Sequence, residues 1–232
     1  MSRFGIVTGM AVEAARIRNA GRELPVSDMP HIGIAGGSAA RAAQLSLRQV
    51  GAGAVGLVSF GIAGGLDPAL RPGDIVVAIT VWRGPANAPV RTSESWSGAL
   101  EAALGARCRV FTGGVAGVDA PVTSVPLKEA LRSGSAAMAV DMESHGIAAA
   151  AAESGVPLLV IRAIADPAAR AIPAAALAGM GTDGRRRPLA VLGRLIIRPA
   201  EIPHIVQLAR DSNAALRSLT IAAKVLLETG VR

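Results

Sequence analysis

Leu158-Leu159-Val160-Ile161-Arg162-Ala163-Ile164-Ala165-Asp166 is an apolar run interrupted by one arginine and closed by one aspartate. Short apolar runs of this kind read as core strands, here over Pro157–Ile164. A guanidinium and a carboxyl at the end of such a run are costly to bury without a partner. Arg162 and Asp166 therefore mark either a site or a structural ion pair.

The same grammar repeats outward from this run. Strands are expected at Phe4–Thr8, His31–Ala35, Val55–Phe60, Asp74–Val81, Arg109–Gly113 and Ala137–Met142. Helices are expected at Ser38–Val50, Ser95–Leu104, Val125–Arg132, Ser144–Ser154 and from about Ile202 to Leu227, and one more follows the first strand. Ser38 and Ser144 are candidate N-caps, because their hydroxyls accept from free first-turn amides. Gly51, Gly105 and Gly155 fall where a left-handed C-terminal cap is wanted. Crossover-length connections make many of the strands parallel. The result is an α/β fold, a three-layer sandwich of a mixed, largely parallel sheet flanked by helices. At 232 residues it reads as one domain (1–232), with residues 168–232 forming a basic, apolar, helical C-terminal region.

Composition narrows the class. Hydrophobic residues are 51% and charged residues 18%, enough for a large core and against general disorder. No apolar run reaches the roughly 20 residues of a membrane helix. Met1-Ser2-Arg3 leads into a strand-like run rather than a signal-peptide layout. A single cysteine, Cys108, permits no internal disulfide, fits a reducing cytoplasm, and reads as a small buried hydrophobe. The net charge is +7, almost all of it arginine, since only Lys128 and Lys224 are lysine. Nucleic acid is not the expected partner, because aromatics are 2% and no recognised reading module is present.

Three further stretches carry chemistry. In Gly5-Ile6-Val7-Thr8-Gly9-Met10-Ala11-Val12-Glu13 a strand turns into a helix, and Glu13 can face the pocket that forms at strand carboxyl ends, or sit in solvent in the first helical turn. Gly36-Gly37-Ser38 and Ser59-Phe60-Gly61-Ile62-Ala63-Gly64-Gly65 read as two small-residue loops at one sheet edge, whose amides could approach a ligand or an anion. In Val140-Asp141-Met142-Glu143-Ser144-His145, two acids end an apolar strand. Glu143 suits both hydroxyls of a ribose, Met142 its apolar face, and His145 reads as structural. No G-x-G-x-x-G follows the first strand, against a dinucleotide-binding fold. No His/Cys/Asp cluster has metal-ligand spacing, so neither a metal nor a cofactor is expected.

Together these stretches resemble the nucleoside phosphorylase and nucleosidase superfamily, especially the methylthioadenosine/S-adenosylhomocysteine nucleosidase branch, across roughly Phe4 to Asp166. The Val-Asp-Met-Glu and Val-Ile-Arg-Ala-Ile-Ala-Asp segments are its most specific parts. The resemblance implies cleavage of the N-glycosidic bond of an adenine nucleoside. It makes Glu13 the acid that positions the attacking water, Met142 and Glu143 the ribose contacts, Asp166 the acid that protonates the purine, and Arg162 the arginine near the nucleophile. Protonating the leaving base is worth about 10²–10⁴ in rate, and an arginine, which keeps its proton, suits holding the attacking oxygen species. Gly36, Gly37, Gly61 and Ile62 would form the nucleophile or anion loop, with inorganic phosphate as a possible co-substrate.

The departures shape the substrate. The nucleosidases carry serine where Ile62 stands, and the base-stacking aromatic has no equivalent in Gly117-Val118-Asp119-Ala120-Pro121-Val122, which leaves Val118, Asp119, Pro121 and Val122 to line the base pocket. Arg185-Arg186-Arg187 and apolar Leu189–Ile197 resemble the C-terminal region of the hopanoid-associated phosphorylases, whose substrate is adenosylhopane. A lipid-linked adenine nucleoside is accordingly expected, and a homo-oligomer by analogy with relatives; the C-terminal region reads as a helical cap packed on the domain, with peripheral contact at the inner face of the membrane as the alternative. The alternatives are an ordinary methylthioadenosine/S-adenosylhomocysteine nucleosidase and a non-catalytic nucleoside-binding protein.

Overall fold

The computed structural model describes residues 4–173 and 202–229. The basic and apolar segments at 185–187 and 189–197, on which the alternative of membrane contact rests, lie outside the described residues.

Eight strands form one mixed sheet: β1 (Gly5–Thr8), β2 (His31–Ile34), β3 (Leu57–Gly65), β4 (Ile75–Trp82), β5 (Val90–Arg91), β6 (Val110–Gly117), β7 (Ala137–Asp141) and β8 (Leu158–Asp166). Around it lie α1 (Ala11–Ala20), α2 (Ala39–Gly51), α3 (Glu94–Gly105), α4 (Val125–Ser135), α5 (Ser144–Ser154) and α6 (Ile202–Thr229). The strand order is β2-β1-β3-β7-β6-β4-β5, and β8 pairs with both β3 and β4. The β1–β2, β1–β3, β3–β8, β4–β6 and β6–β7 pairs are parallel, while β3–β7, β4–β5 and β4–β8 are antiparallel. Because β8 bridges β3 and β4, strands β3, β7, β6, β4 and β8 close into a ring of pairings.

One face of the sheet packs its Ile6, Val58, Phe60 and Ile161 against α1, α3 and α6, with Ile17, Leu100 and Leu219 fully buried between. Along α6, Ala215, Leu219, Ala222, Ala223 and Leu226 form the buried stripe of an amphipathic helix. The other face packs Val7, Leu57 and Val160 against α2 and α5 through Ala42, Ile147 and Ala151. Small residues let these two helices touch: a Cβ at Gly146 would lie 2.1 Å from the Ala39 carbonyl oxygen. This is the three-layer arrangement expected from the pattern of runs.

Several local expectations change. β3 continues through Gly65, because Gly61–Gly64 pair with β8 and Gly64–Gly65 with β7, so the second glycine stretch is strand rather than loop. β8 likewise runs on to Asp166 and β6 to Gly117. The short β5 carries no signal of its own, since two residues are held only by pairing with β4. Ser38 caps α2 by accepting from Arg41 N, whereas Ser144 lies inside α5 and Glu143 occupies the cap position. Gly155 has the expected positive φ of 64°, but Gly51 and Gly105 remain helical. Ala136, at φ 54°, makes the left-handed cap of α4 without a glycine. Cys108 is half-buried against the core.

Candidate active site

β1, β7 and β8 lead to acidic side chains in one region of the sheet, alongside β3, where the parallel strands β1, β3 and β8 end. Glu13, on the first turn of α1, turns back beneath the β1–α1 corner and is 2% exposed. It accepts from Met10 N at 2.7 Å through Oε2 and from Ile62 N at 2.8 Å through Oε1. Burial pushes its pKa up, against the lowering effect of the Ile62 amide and the Arg162 charge. No Cβ could sit at Gly61 without coming within 2.8 Å of Glu13 Oε1.

Glu143 follows β7 and is 8% exposed. Its Oε1 accepts from Gly37 N at 2.9 Å, which the positive φ values of Gly36 (69°) and Gly37 (74°) make possible. Desolvation first, and then the charges of Asp141 and Glu13, raise its pKa to about 8. Half-buried Met142 lies beside Gly37, so the two residues expected at the ribose flank the same loop. The amides of Gly37 and Ile62, expected to cradle a phosphate, instead hold the Glu143 and Glu13 carboxylates.

Arg162 is 2% exposed and sits between strands. Its Nε donates to Asp141, Nη1 to Ile161 O at 3.0 Å, and Nη2 to Ser59 Oγ at 2.5 Å and Ser144 Oγ at 2.9 Å. Asp141 also accepts from the amides of Glu143 and Ser144 at 3.2 and 3.0 Å, and from the Ser144 hydroxyl. Arg162 is thus braced beneath the two glutamates, and its charge favours ionisation of both. The ion pair it forms is with Asp141, not with Asp166.

Asp166 is the last residue of β8, 6% exposed and facing Gly64 of β3. Since Gly64 and Ile62 are two residues apart on one strand, about 7 Å, the Asp166 and Glu13 carboxyls border the same short length of β3. Desolvation raises the Asp166 pKa, opposed by the neighbouring Lys128 ammonium. Lys128, on α4, reaches Asp166 Oδ2 at 2.5 Å and is 1% exposed. Neither it nor Ser59 is assigned a role in the sequence, where Asp141 reads only as one of two acids ending a strand and Ser144 only as a helix cap. The one signal for Lys128 is its rarity as a lysine in an arginine-rich chain.

The expected base-pocket residues lie on the segment after β6. Val118 and Val122 are half-buried against a small cluster built on Leu66, Ala116 and Val140, while Asp119 and Pro121 are exposed. Asp119 pairs with His145 Nε2 at 3.0 Å, and Thr123 O accepts from Ile172 N at 2.8 Å, which ties this segment to the stretch after Asp166. Among the described residues no group of three His, Cys, Asp or Glu side chains could hold a metal ion.

A helix-flanked mixed sheet thus gathers buried carboxylates where its parallel strands end, the place at which α/β folds bind their ligands. A family model described as the phosphorylase superfamily matches residues 3–196, and the chain belongs to that superfamily. No curated protein matches the chain. Among solved structures, futalosine hydrolase of Helicobacter pylori is similar at 23% identity and a TM-score of 0.62, covering 72% of this chain and 88% of that one. The 5′-methylthioadenosine/S-adenosylhomocysteine nucleosidase of Campylobacter jejuni matches at 15% identity and a TM-score of 0.72, covering 99% of each chain. A mutant of the Helicobacter pylori nucleosidase with 5′-methylthioadenosine in its active site matches at 18% identity and a TM-score of 0.66, covering 96% of this chain and 98% of that one.

Proposed function

We propose that this enzyme cleaves the N-glycosidic bond of an adenine nucleoside and releases adenine, with water as the nucleophile and a lipid-linked nucleoside, adenosylhopane, as the substrate. The observation that carries the reading is the pair of buried carboxylates, Glu13 and Glu143, clamped by backbone amides beside a third, Asp166. Glu143 keeps one oxygen on Gly37 N and offers the other to the ribose hydroxyls, with Met142 against the sugar. As the bond from C1′ to the base breaks, its electron pair passes to the adenine. Asp166, whose proton affinity is raised by burial, delivers a proton to N7 of that base. Water forms the new bond to C1′, and Glu13, also raised, takes the proton it loses.

Water is favoured over phosphate because the amides that would cradle an anion already hold carboxylates. The lipid-linked substrate is supported by the departures at Ile62 and at Val118–Val122, and by Ile202 and Val206, exposed apolar residues at the start of α6. The test is adenine release from adenosylhopane, 5′-methylthioadenosine and S-adenosylhomocysteine, each with and without phosphate. Phosphate-independent release from adenosylhopane alone is expected. Release only from the two soluble nucleosides overturns the lipid substrate, a phosphate requirement overturns water, and no release from any overturns catalysis.

A further inference from the structure

Lys128 is the one fully buried side chain of α4, and it is a lysine. Lysine is rarely fully buried unless paired. Here its three N–H donors meet three oxygens: Asp166 Oδ2 at 2.5 Å, Pro167 O at 2.9 Å and Arg170 O at 3.0 Å. Well-packed apolar residues usually serve a core as well as a buried ion pair does, so fold stability alone gives no reason for a cation here. The choice of lysine is itself informative, because 22 of the 24 basic residues are arginine. A compact ammonium can meet three oxygens converging on one point, whereas a planar guanidinium cannot.

The two carbonyls that Lys128 binds belong to the strap that leaves β8. That strap is fastened again by Arg170, which pairs with buried Asp211 on α6, and by Ile172 N on Thr123 O. Only Oδ2 of Asp166 is engaged; Oδ1 accepts no hydrogen bond among the described residues. The charged groups facing Asp166 are Lys128 from α4 and Arg170 from the strap, the latter balanced by Asp211 of α6. β3 and β7 present Gly64 and Val140, which carry none.

We infer that Lys128 is the positioning residue for the Asp166 acid, pinning one carboxyl oxygen and the strap behind it so that the other oxygen meets the departing base. This rests on the proposed role of Asp166 in adenine release. Lys128 touches neither sugar nor base and acts through the carboxyl it holds.

The test compares wild type with Lys128→Met and Lys128→Arg, and with Lys128→Gln should the methionine variant fail to fold. The first readout needs no turnover: a ¹³C titration of the aspartate carboxyls by NMR, with Asp166→Asn identifying the signal. Loss of the ammonium moves the Asp166 midpoint up by about one to three pH units. The second readout pairs adenine release from adenosylhopane with release of p-nitrophenolate from p-nitrophenyl β-D-ribofuranoside, a leaving group that needs no proton. Adenine release falls, within the about 10²–10⁴-fold that a positioned acid contributes, its alkaline limb moves to higher pH, and p-nitrophenolate release stays near wild type. Lys128→Arg keeps the charge and returns part of the titration shift, but it does not restore adenine release, because a planar guanidinium cannot hold the three converging oxygens. An unmoved Asp166 titration in a folded variant, or equal losses on the two leaving groups, overturns the inference. If wild type releases adenine from neither 5′-methylthioadenosine nor adenosylhopane, it is the functional reading that falls, and the carboxyl titration decides the hold of Lys128 on Asp166.

Discussion

Replacing Arg162 with methionine tests how the site is supported from below. The substitution keeps most of the side-chain length but leaves Asp141, 6% exposed, as a buried carboxylate without its counter-ion. It also strips a donor from Ile161 O and from the Ser59 and Ser144 hydroxyls. Removing one member of a buried pair costs about 3–5 kcal/mol, chiefly because the remaining charge stays desolvated. Against a typical stability of about 5–15 kcal/mol, the variant still folds. In urea, with a slope of about 1–3 kcal/mol per molar, its midpoint falls by on the order of 1–5 M. The companion variant Asp141→Asn/Arg162→Met removes both charges and recovers part of the loss, with a coupling energy of at least about 1 kcal/mol. The assay is a double-mutant cycle by urea denaturation followed by circular dichroism. Arg162→Met within about 0.5 kcal/mol of wild type, the range of an ordinary surface change, would refute the buried pair, and so would strict additivity of the two single changes.

Three other outcomes follow from the same geometry. Burial raises the Glu143 pKa from 4.5 to about 8, so the native state keeps a proton there that the unfolded chain loses. Its contribution to stability is full below pH 4.5 and disappears as pH rises through about 8. Thermal melts across that window should fall with pH in wild type and less steeply in Glu143→Gln, and parallel slopes would contradict this. Gly9→Ala places a Cβ 2.5 Å from Glu143 Oε1. The displaced carboxyl should lower kcat/KM for adenine release by up to about 10²-fold, and unchanged kinetics would show that Glu143 does not hold the sugar. Gly146→Ala pushes a methyl to 2.1 Å from Ala39 O between α2 and α5. It should cost about 1–3 kcal/mol as an overpacked contact, measured by denaturant melts, and a neutral effect would mean that the two helices part easily.

The sequence exposes what is local and hides what depends on crossing elements. The run at 158–166 is legible because nine consecutive residues are buried in β8, and its two charged members stand out against that background. Glu13 and Glu143 are legible for the same reason, since each acid follows an apolar strand. Arg162 and Asp166 were legible as charges but not as partners. Each pairs with a residue far along the chain, Asp141 and Lys128, brought near by β7 and by α4. Lys128 sits beside Glu129 in an amphipathic helix and reads as a solvated face until α4 is laid over the end of β8. Gly61–Gly65 illustrates the converse. Glycine content suggests a loop, but here it lets a strand run past two carboxyls, since a Cβ would lie 2.8 Å from Glu13 Oε1 at Gly61 and 3.1 Å from Asp166 Oδ2 at Gly64.

Charge arithmetic bears on the nucleophile more directly than any single contact. Arg162 is already paired with Asp141, so Glu13 and Glu143 share the remaining field of one cation that is neutralised locally. Two unit charges about 5 Å apart interact by about 3 kcal/mol at an effective dielectric of 20. A phosphate dianion entering beside an ionised Glu13 would meet roughly twice that repulsion, before any contribution from Glu143. The usual remedy is a set of free amides or a serine hydroxyl, yet the Gly37 and Ile62 amides hold carboxylates and residue 62 is isoleucine. Neutral water meets no such barrier and gains a base whose raised proton affinity suits removal of its proton. An ionised Glu13, which makes the pocket hostile to an anion, is therefore also what suits it to hydrolysis under the proposed reading.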